Sequence, residues 1–356
     1  MRWSRLILVF LFFLPATHLH SLAPLSRITY DALLKDSAFT NSTAERSALL
    51  EKTPDSEPVR FNDGLVGISV EEIGVMKSNI GYTWCCFIDP HQKIYKDAFK
   101  KLVRIQRSLV KTMGGENLII VPPVFFLPDA DVPTSAAWIK VYHKWRSIAV
   151  ENEKPYHGDQ LLDFLDSISQ AIESDEPLPR NLRSGYHVTI QTVTDFQEAL
   201  PDDPQFQMEF AAMKGLRAGA IPEGNLTGPF WNLKFGFGMA FSGEGPDGLR
   251  PMQELKNRFA ERLVPGFKKP EKPGVFHLTL AFPSEREYTK KQFEELHHRF
   301  MKLETTTIPS IQILWITLND FITSNFQRIT RYVSFRLTVH TPEIPGEKPS
   351  PSTRSA

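Results

Sequence analysis

Two short stretches of this 356-residue chain repeat one pattern and limit what the rest can build. Tyr186-His187-Val188-Thr189-Ile190-Gln191-Thr192-Val193 and Phe276-His277-Leu278-Thr279-Leu280-Ala281-Phe282 each read aromatic, His, aliphatic, Thr, aliphatic. Side chains alternate between the two faces of a strand. The first stretch is therefore expected to set His187, Thr189 and Gln191 on one face and Val188 and Ile190 on the other. In the second, His277, Thr279 and Ala281 share a face, opposite Phe276, Leu278, Leu280 and Phe282. An imidazole and a hydroxyl two residues apart on a rigid strand can both address one small anion. The spacing of 277 − 187 = 90 residues predicts two halves facing a common groove. One His-x-Thr alone is more often an ordinary half-exposed strand, because threonine is a good strand former. Two five-position matches, each in strand context, shift the balance toward function.

Paired His-x-Thr strands resemble the signature of the two-histidine (2H) phosphoesterase superfamily, which includes the LigT-like RNA ligase/cyclic phosphodiesterases. Tyr186-His187-Val188-Thr189, Phe276-His277-Leu278-Thr279-Leu280-Ala281-Phe282 and the early Gly81-Tyr82-Thr83 strand entering Asp89-Pro90 look most like a branch found in fungi and protists. The resemblance spans about residues 66–340. It implies an α+β fold of two similar sheet-and-helix lobes around a central groove, with one His-x-Thr from each lobe. It also implies His187 and His277 as catalytic residues and Thr189 and Thr279 as phosphate-binding residues. The paired motif says little about substrate.

Composition fits an ordinary globular protein, 41% hydrophobic and 23% charged, with one large domain or two intimate halves. Lys+Arg 41 against Asp+Glu 41 gives no net formal charge, which argues against a broad nucleic-acid-binding surface while allowing a local basic groove. Cys85 and Cys86 are the only cysteines. Neighbours in a strand point opposite ways, so they are expected as free thiols and no disulfide framework exists.

Residues 1–23 carry Arg2 and Arg5 before a nine-residue apolar run over 6–14, then Pro15 and the small residues Ser21 and Ala23. That is the layout of a secretory signal peptide, too short to span a bilayer. The sequons Asn41-Ser42-Thr43 and Asn225-Leu226-Thr227 fit the same route, and so a secreted or lumenal glycoprotein. No later segment is apolar for long enough to cross a membrane, and a monomer is expected.

Residues 24–65 read as a polar leader or surface arm with one short helix near 30–34, and the folded domain as residues 66–340. Strands are expected over 81–88 and 118–121, and helices from 94 to Gly114-Gly115, over 136–150 and over 160–172. After the first motif come a helix over 206–216 and one long strand over 230–241. Along that strand Asn232, Lys234, Gly236, Gly238, Ala240 and Ser242 share the smaller, more polar face. A helix holds Met252, Leu255, Phe259 and Leu263, and Thr289-x-x-Gln292 is a capping-box helix start. Two terminal strands, over 310–319 and 331–339, complete the sheet. The Pro/Ser-rich tail, 341–356, is expected to be disordered.

Cleaving a phosphodiester requires a proton removed on one side of phosphorus and one delivered on the other. Two imidazoles suit this, since an ordinary pKa of about 6.5 lets one be neutral while the other is charged. The hydroxyls of Thr189 and Thr279 can donate to the oxygens where negative charge accumulates. This scheme needs no metal or other cofactor, and the residues leave open which histidine is acid and which is base. Lys234, Gln191 and Tyr82 are the further substrate-binding candidates, each with a competing reading as solvated lysine, strand polar residue or core aromatic. The expected substrate is a small phosphodiester, a cyclic nucleotide or an RNA end. A non-catalytic binding protein for a phosphorylated ligand or RNA end is the alternative. A metal-dependent hydrolase fits less well, because His297-His298 diverge on a helix and no His-Glu-x-x-His or clustered Asp pattern occurs.

Overall fold

The computed structural model describes residues 41–60, 80–127, 132–147, 158–174, 176–192, 204–232, 236–243, 248–263, 276–285, 287–322 and 332–339. Several elements follow a local signal. Among the described residues, helix α1 (Asn41–Lys52) and strands β1 (Pro58–Arg60) and β2 (Ile80–Phe87) come first. In α2 (Lys96–Met113), Phe99, Leu102, Val103, Gln106, Leu109, Val110 and Met113 recur at helical spacing and are buried, and Gly114 at φ 87° ends the helix. Strands β3 (Leu118–Ile120) and β4 (Val124–Phe126), helices α3 (Ala136–Arg146) and α4 (Gly158–Glu173), and β5 (Leu182–Ser184) lead to the first motif strand, β6 (His187–Thr192). Then follow α5 (Gln205–Met213), β7 (Arg217–Ala218), β8 (Glu223–Asn232), β9 (Gly236–Gly243), α6 (Arg250–Arg262) and the second motif strand, β10 (His277–Pro283). The last described elements are β11 (Glu287–Thr289), α7 (Lys290–Phe300), β12 (Thr306–Gln312), β13 (Trp315–Ile322), β14 (Tyr332–Arg336) and β15 (Thr338–Val339). Thr289 caps α7 through a full capping box with Gln292, as its sequence predicts.

The fold is α+β, around one nine-stranded antiparallel sheet in the order β12-β8-β9-β10-β6-β2-β13-β14, with β3 also paired to β10. One edge of β10 holds β9, so β6 and β3 share the other: Leu278 pairs with Val188 near its start and Ala281–Pro283 pair with Leu118–Ile120 near its end. The two motif strands are thus immediate neighbours. Consecutive strands β12 and β13 lie six steps apart in the sheet order. Laid flat, six steps would separate them by about 29 Å, whereas the link through Ile313 and Leu314 reaches at most about 11 Å. The sheet must therefore curl sharply. The Tyr95 hydroxyl holds the crossing, donating to the Gln312 carbonyl and accepting from the Leu314 amide at 3.3 Å.

Several expectations change. The stretch 230–241 is not one strand but the ends of β8 and β9, which pair as a hairpin with Asn232 opposite Gly236. Gly236 at φ 72° permits the reversal, which strand periodicity alone does not signal. Residues 310–319 likewise divide between β12 and β13. Within the polar stretch 24–65, the described helix α1 packs against β8 and α7. Arg46 on α1 is fully buried, its guanidinium 5.1 Å from the Trp231 ring and 5.0 Å from Phe300. It donates to the Trp231 carbonyl and to His297 Nδ1 at 3.1 Å. Burial lowers its pKa to about 10, so it remains a cation at neutral pH. Cys85 and Cys86 are free and buried, as expected. Among the described residues no helix is long and apolar enough to cross a membrane. The expected signal peptide, the helix near 30–34, Lys234 and the tail 341–356 lie outside the described residues.

Candidate active site at the strand seam

The pairing of Leu278 with Val188 fixes the site. In an antiparallel pair the residue numbers of partners sum to a constant, here 278 + 188 = 466. One residue either way sets His187 opposite Thr279 and Thr189 opposite His277, since 187 + 279 and 189 + 277 give the same sum. Val188, Leu278, Ile190 and Leu280 are buried on the apolar side. Thr189, His277 and Thr279 are half-exposed and His187 is 8% exposed. Each histidine thus stands across the seam from the other motif's threonine, and directly opposed side chains have Cβ atoms about 4.5–5.5 Å apart.

His187 is the more enclosed imidazole. Its Nδ1 lies 2.8 Å from the Gly185 carbonyl, which can only accept, so Nδ1 carries the proton and the neutral ring keeps its lone pair on Nε2. Its pKa is lowered to about 4, first by burial and also by the charge of His277, against the raising effect of the Gly185 carbonyl. Phe87, its cross-strand partner on β2, packs 5.2 Å from the ring. Gly185 cannot bear a side chain: a Cβ there would sit 1.8 Å from the Pro122 carbonyl oxygen. His277 lies beside a lower floor, because its neighbours and Thr279's on β9 are Ala240 and Gly238. Phe230 stands edge-on to it at 6.4 Å.

Both motif strands carry a bulge one residue beyond the threonine. On β6 the register passes from Cys85 opposite Thr189 to Trp84 opposite Gln191. On β10 it passes from Gly238 opposite Thr279 to Phe237 opposite Ala281. The extra residue breaks strict alternation. Gln191 and Ala281, expected beside the histidines, instead pair with core residues and are 5% and 0% exposed. Tyr82 is also displaced as a substrate-stacking candidate. It is fully buried, with its ring edge-on to Phe206 at 5.2 Å.

One residue that holds the site drew no notice as a motif. Gln106, fully buried on α2, donates to the Leu280 carbonyl at 2.7 Å and the Val121 carbonyl at 2.8 Å, and accepts from the Tyr186 hydroxyl at 2.7 Å. It ties the bulge of one motif strand to the residue that opens the other. Its signal was a lone amide on an otherwise apolar helix face. The motif face also continues across β2, β13 and β14 into a cleft of about 310 Å³ that includes Phe87, Asp89, Arg183, Thr317 and Tyr332. Phe87 and Tyr332 pack at 5.4 Å, and the Arg183 guanidinium lies 5.3 Å from the Tyr332 ring. Burial raises the Asp89 carboxyl pKa, opposed by the His91 amide and by the charges of His91 and Arg183. Among the described residues no three His, Cys, Asp or Glu side chains gather into a metal-holding cluster. Compared with known proteins, the chain matches no family model, no curated protein and no solved structure.

Proposed function

We propose that this chain is a metal-independent phosphodiesterase that cleaves a cyclic or RNA-type phosphodiester by acid–base transfer between His187 and His277, on a bilobal two-histidine phosphoesterase fold. The observation that carries this reading is the seam register, which gathers two imidazoles and two hydroxyls on one sheet face. Neutral His187, with its lone pair on Nε2, is the base. It takes a proton from the attacking hydroxyl or water as the new P–O bond forms. Protonated His277, in the more open position, gives its proton to the leaving oxygen as the old P–O bond breaks. Exchange with solvent then resets both rings. Thr189 and Thr279 donate to the non-bridging oxygens, where charge builds up. Tyr332 and Arg183 offer a surface for the rest of the substrate beside the phosphate.

The expected routing, through a removed signal peptide to a secretory compartment, belongs to the same proposal. Its test is a panel of 2′,3′-cyclic nucleotides, oligonucleotides with cyclic ends and simple phosphodiesters, assayed with purified protein in EDTA. Turnover of at least one class in chelator is the expected result. Loss of that turnover in EDTA with rescue by a divalent ion would overturn the metal-free scheme. Binding without turnover would make the chain a phosphate-end binding protein.

A further inference from the structure

Helix α2 faces the core on one side and concentrates positive charge on the other. Its 18 residues hold Lys96, Lys100, Lys101, Arg104, Arg107 and Lys111 against one acid, Asp97, in a chain with no net formal charge. Arg104 pairs with Glu173 at 3.1 Å and Arg107 with Asp166, both across to α4 and both at the surface. Such exposed pairs hold their partners weakly. Among the described residues neither Lys101 nor Lys302 enters an ion pair. Yet Lys101, Arg104 and Ser108 form one wall of a cleft of about 500 Å³, with Lys302, Glu304 and Thr306 on the other. This cleft lies away from the histidines. Phe99 of the same helix packs 5.5 Å from Tyr186, which points to the side opposite His187.

We propose that this cleft is a second, non-catalytic site for a multiply charged, phosphate-bearing anion. Three cations against one carboxylate, interspersed with hydroxyl donors, is the donor set that phosphate oxygens select. The volume suits a small ligand of di- or triphosphate size. The phosphates could belong to a free polyphosphate or to a polynucleotide running over the helix, since the chemistry of recognition is shared. Glu304 is the one unfavourable group, and it makes the site testable in the direction of gain.

The experiment uses the full mature chain carrying His277→Ala, so that processing of the probes plays no part. Tripolyphosphate and a single-stranded oligonucleotide are titrated separately at 0.15 M salt by calorimetry. The double change Lys101→Glu/Lys302→Glu is expected to weaken tripolyphosphate at least tenfold. Glu304→Gln is expected to tighten it several-fold, a gain that misfolding cannot mimic. In an otherwise unchanged chain, the double change should leave turnover of a small substrate as it was. If the oligonucleotide weakens in parallel and its salt dependence becomes shallower by about 1.4, roughly 0.7 per lost contact on a single strand, the occupant is a polynucleotide. If only tripolyphosphate responds, it is a free anion. No binding of either probe, or equal binding by all the variants, overturns the proposal.

Discussion

His187 and His277 share a motif but not an environment, and the roles proposed for them rest on that difference. Replacing either with Ala should cut kcat by about 10²–10⁴-fold. The double variant should be little worse than the worse single one, because groups acting as a unit are non-additive. Thr189→Ala and Thr279→Ala should be milder, each removing one hydrogen bond to a charged oxygen, worth about 1.5–3 kcal/mol. The pH profile offers a sharper test. His187 must be neutral to act as base, and with its pKa lowered to about 4 the acid limb of kcat/KM should fall near pH 4 rather than 6.5. The same shift affects stability. Between pH 6.5 and 4 the unfolded chain binds a proton on His187 that the folded chain does not, so stability is fully present above 6.5 and falls as pH drops toward 4. At about 1.4 kcal/mol per pH unit, the loss is on the order of 3 kcal/mol. Thermal melts across this window should show it, and His187→Gln should flatten the slope. At this scale the four motif residues were legible because their order and spacing recur. Gln191 was not, because alternation presumes an unbroken pleat, and Tyr82 was not, because an aromatic strand residue reads alike whether it faces substrate or core.

The paired bulges and the Gln106 clamp are features of elements rather than of single side chains. Leu280 is the extra residue of its bulge, and its carbonyl accepts from both Val121 at 2.9 Å and Gln106. Gln106→Leu keeps the bulk but removes the partner of the Tyr186 hydroxyl and a donor to each of the Leu280 and Val121 carbonyls. Each buried group left unpaired costs about 1–3 kcal/mol. Urea unfolding should register that loss, and kcat should fall more than KM rises, since the imidazoles lose their alignment while the groove stays open. Unchanged kcat at equal stability loss would make Gln106 merely structural. Helices were readable from their spacing and caps, as α2 and α7 show. The hairpin at Gly236 was not, because the alternation over 231–241 looks the same whether the chain runs straight or turns back, and the break at Ile313–Leu314 was not, because it lies within an unbroken apolar run over 313–316.

At the scale of the whole molecule, the sheet interleaves distant segments. Strand β2 pairs with β6 on one edge and with β13 on the other, and Cys85 sits opposite both Thr189 and Thr317. Its second partner lies 317 − 85 = 232 residues away along the chain. That register has a consequence for biosynthesis. Until residues beyond 315 have left the ribosome, β2 has one row of amides and carbonyls with nothing to bond, a long hydrophobic edge of the kind that recruits other chains. Contacts of such span also make folding slow, because loop closure precedes the contacts that compensate for it. A chain stopped at residue 303, with both His-x-Thr motifs intact, should therefore emerge aggregated or bound to chaperones, while the full chain is recovered monodisperse, as sedimentation would reveal. Nascent molecules would then spend most of their synthesis time as clients of a holdase, committed to the native state only when the final strands arrive.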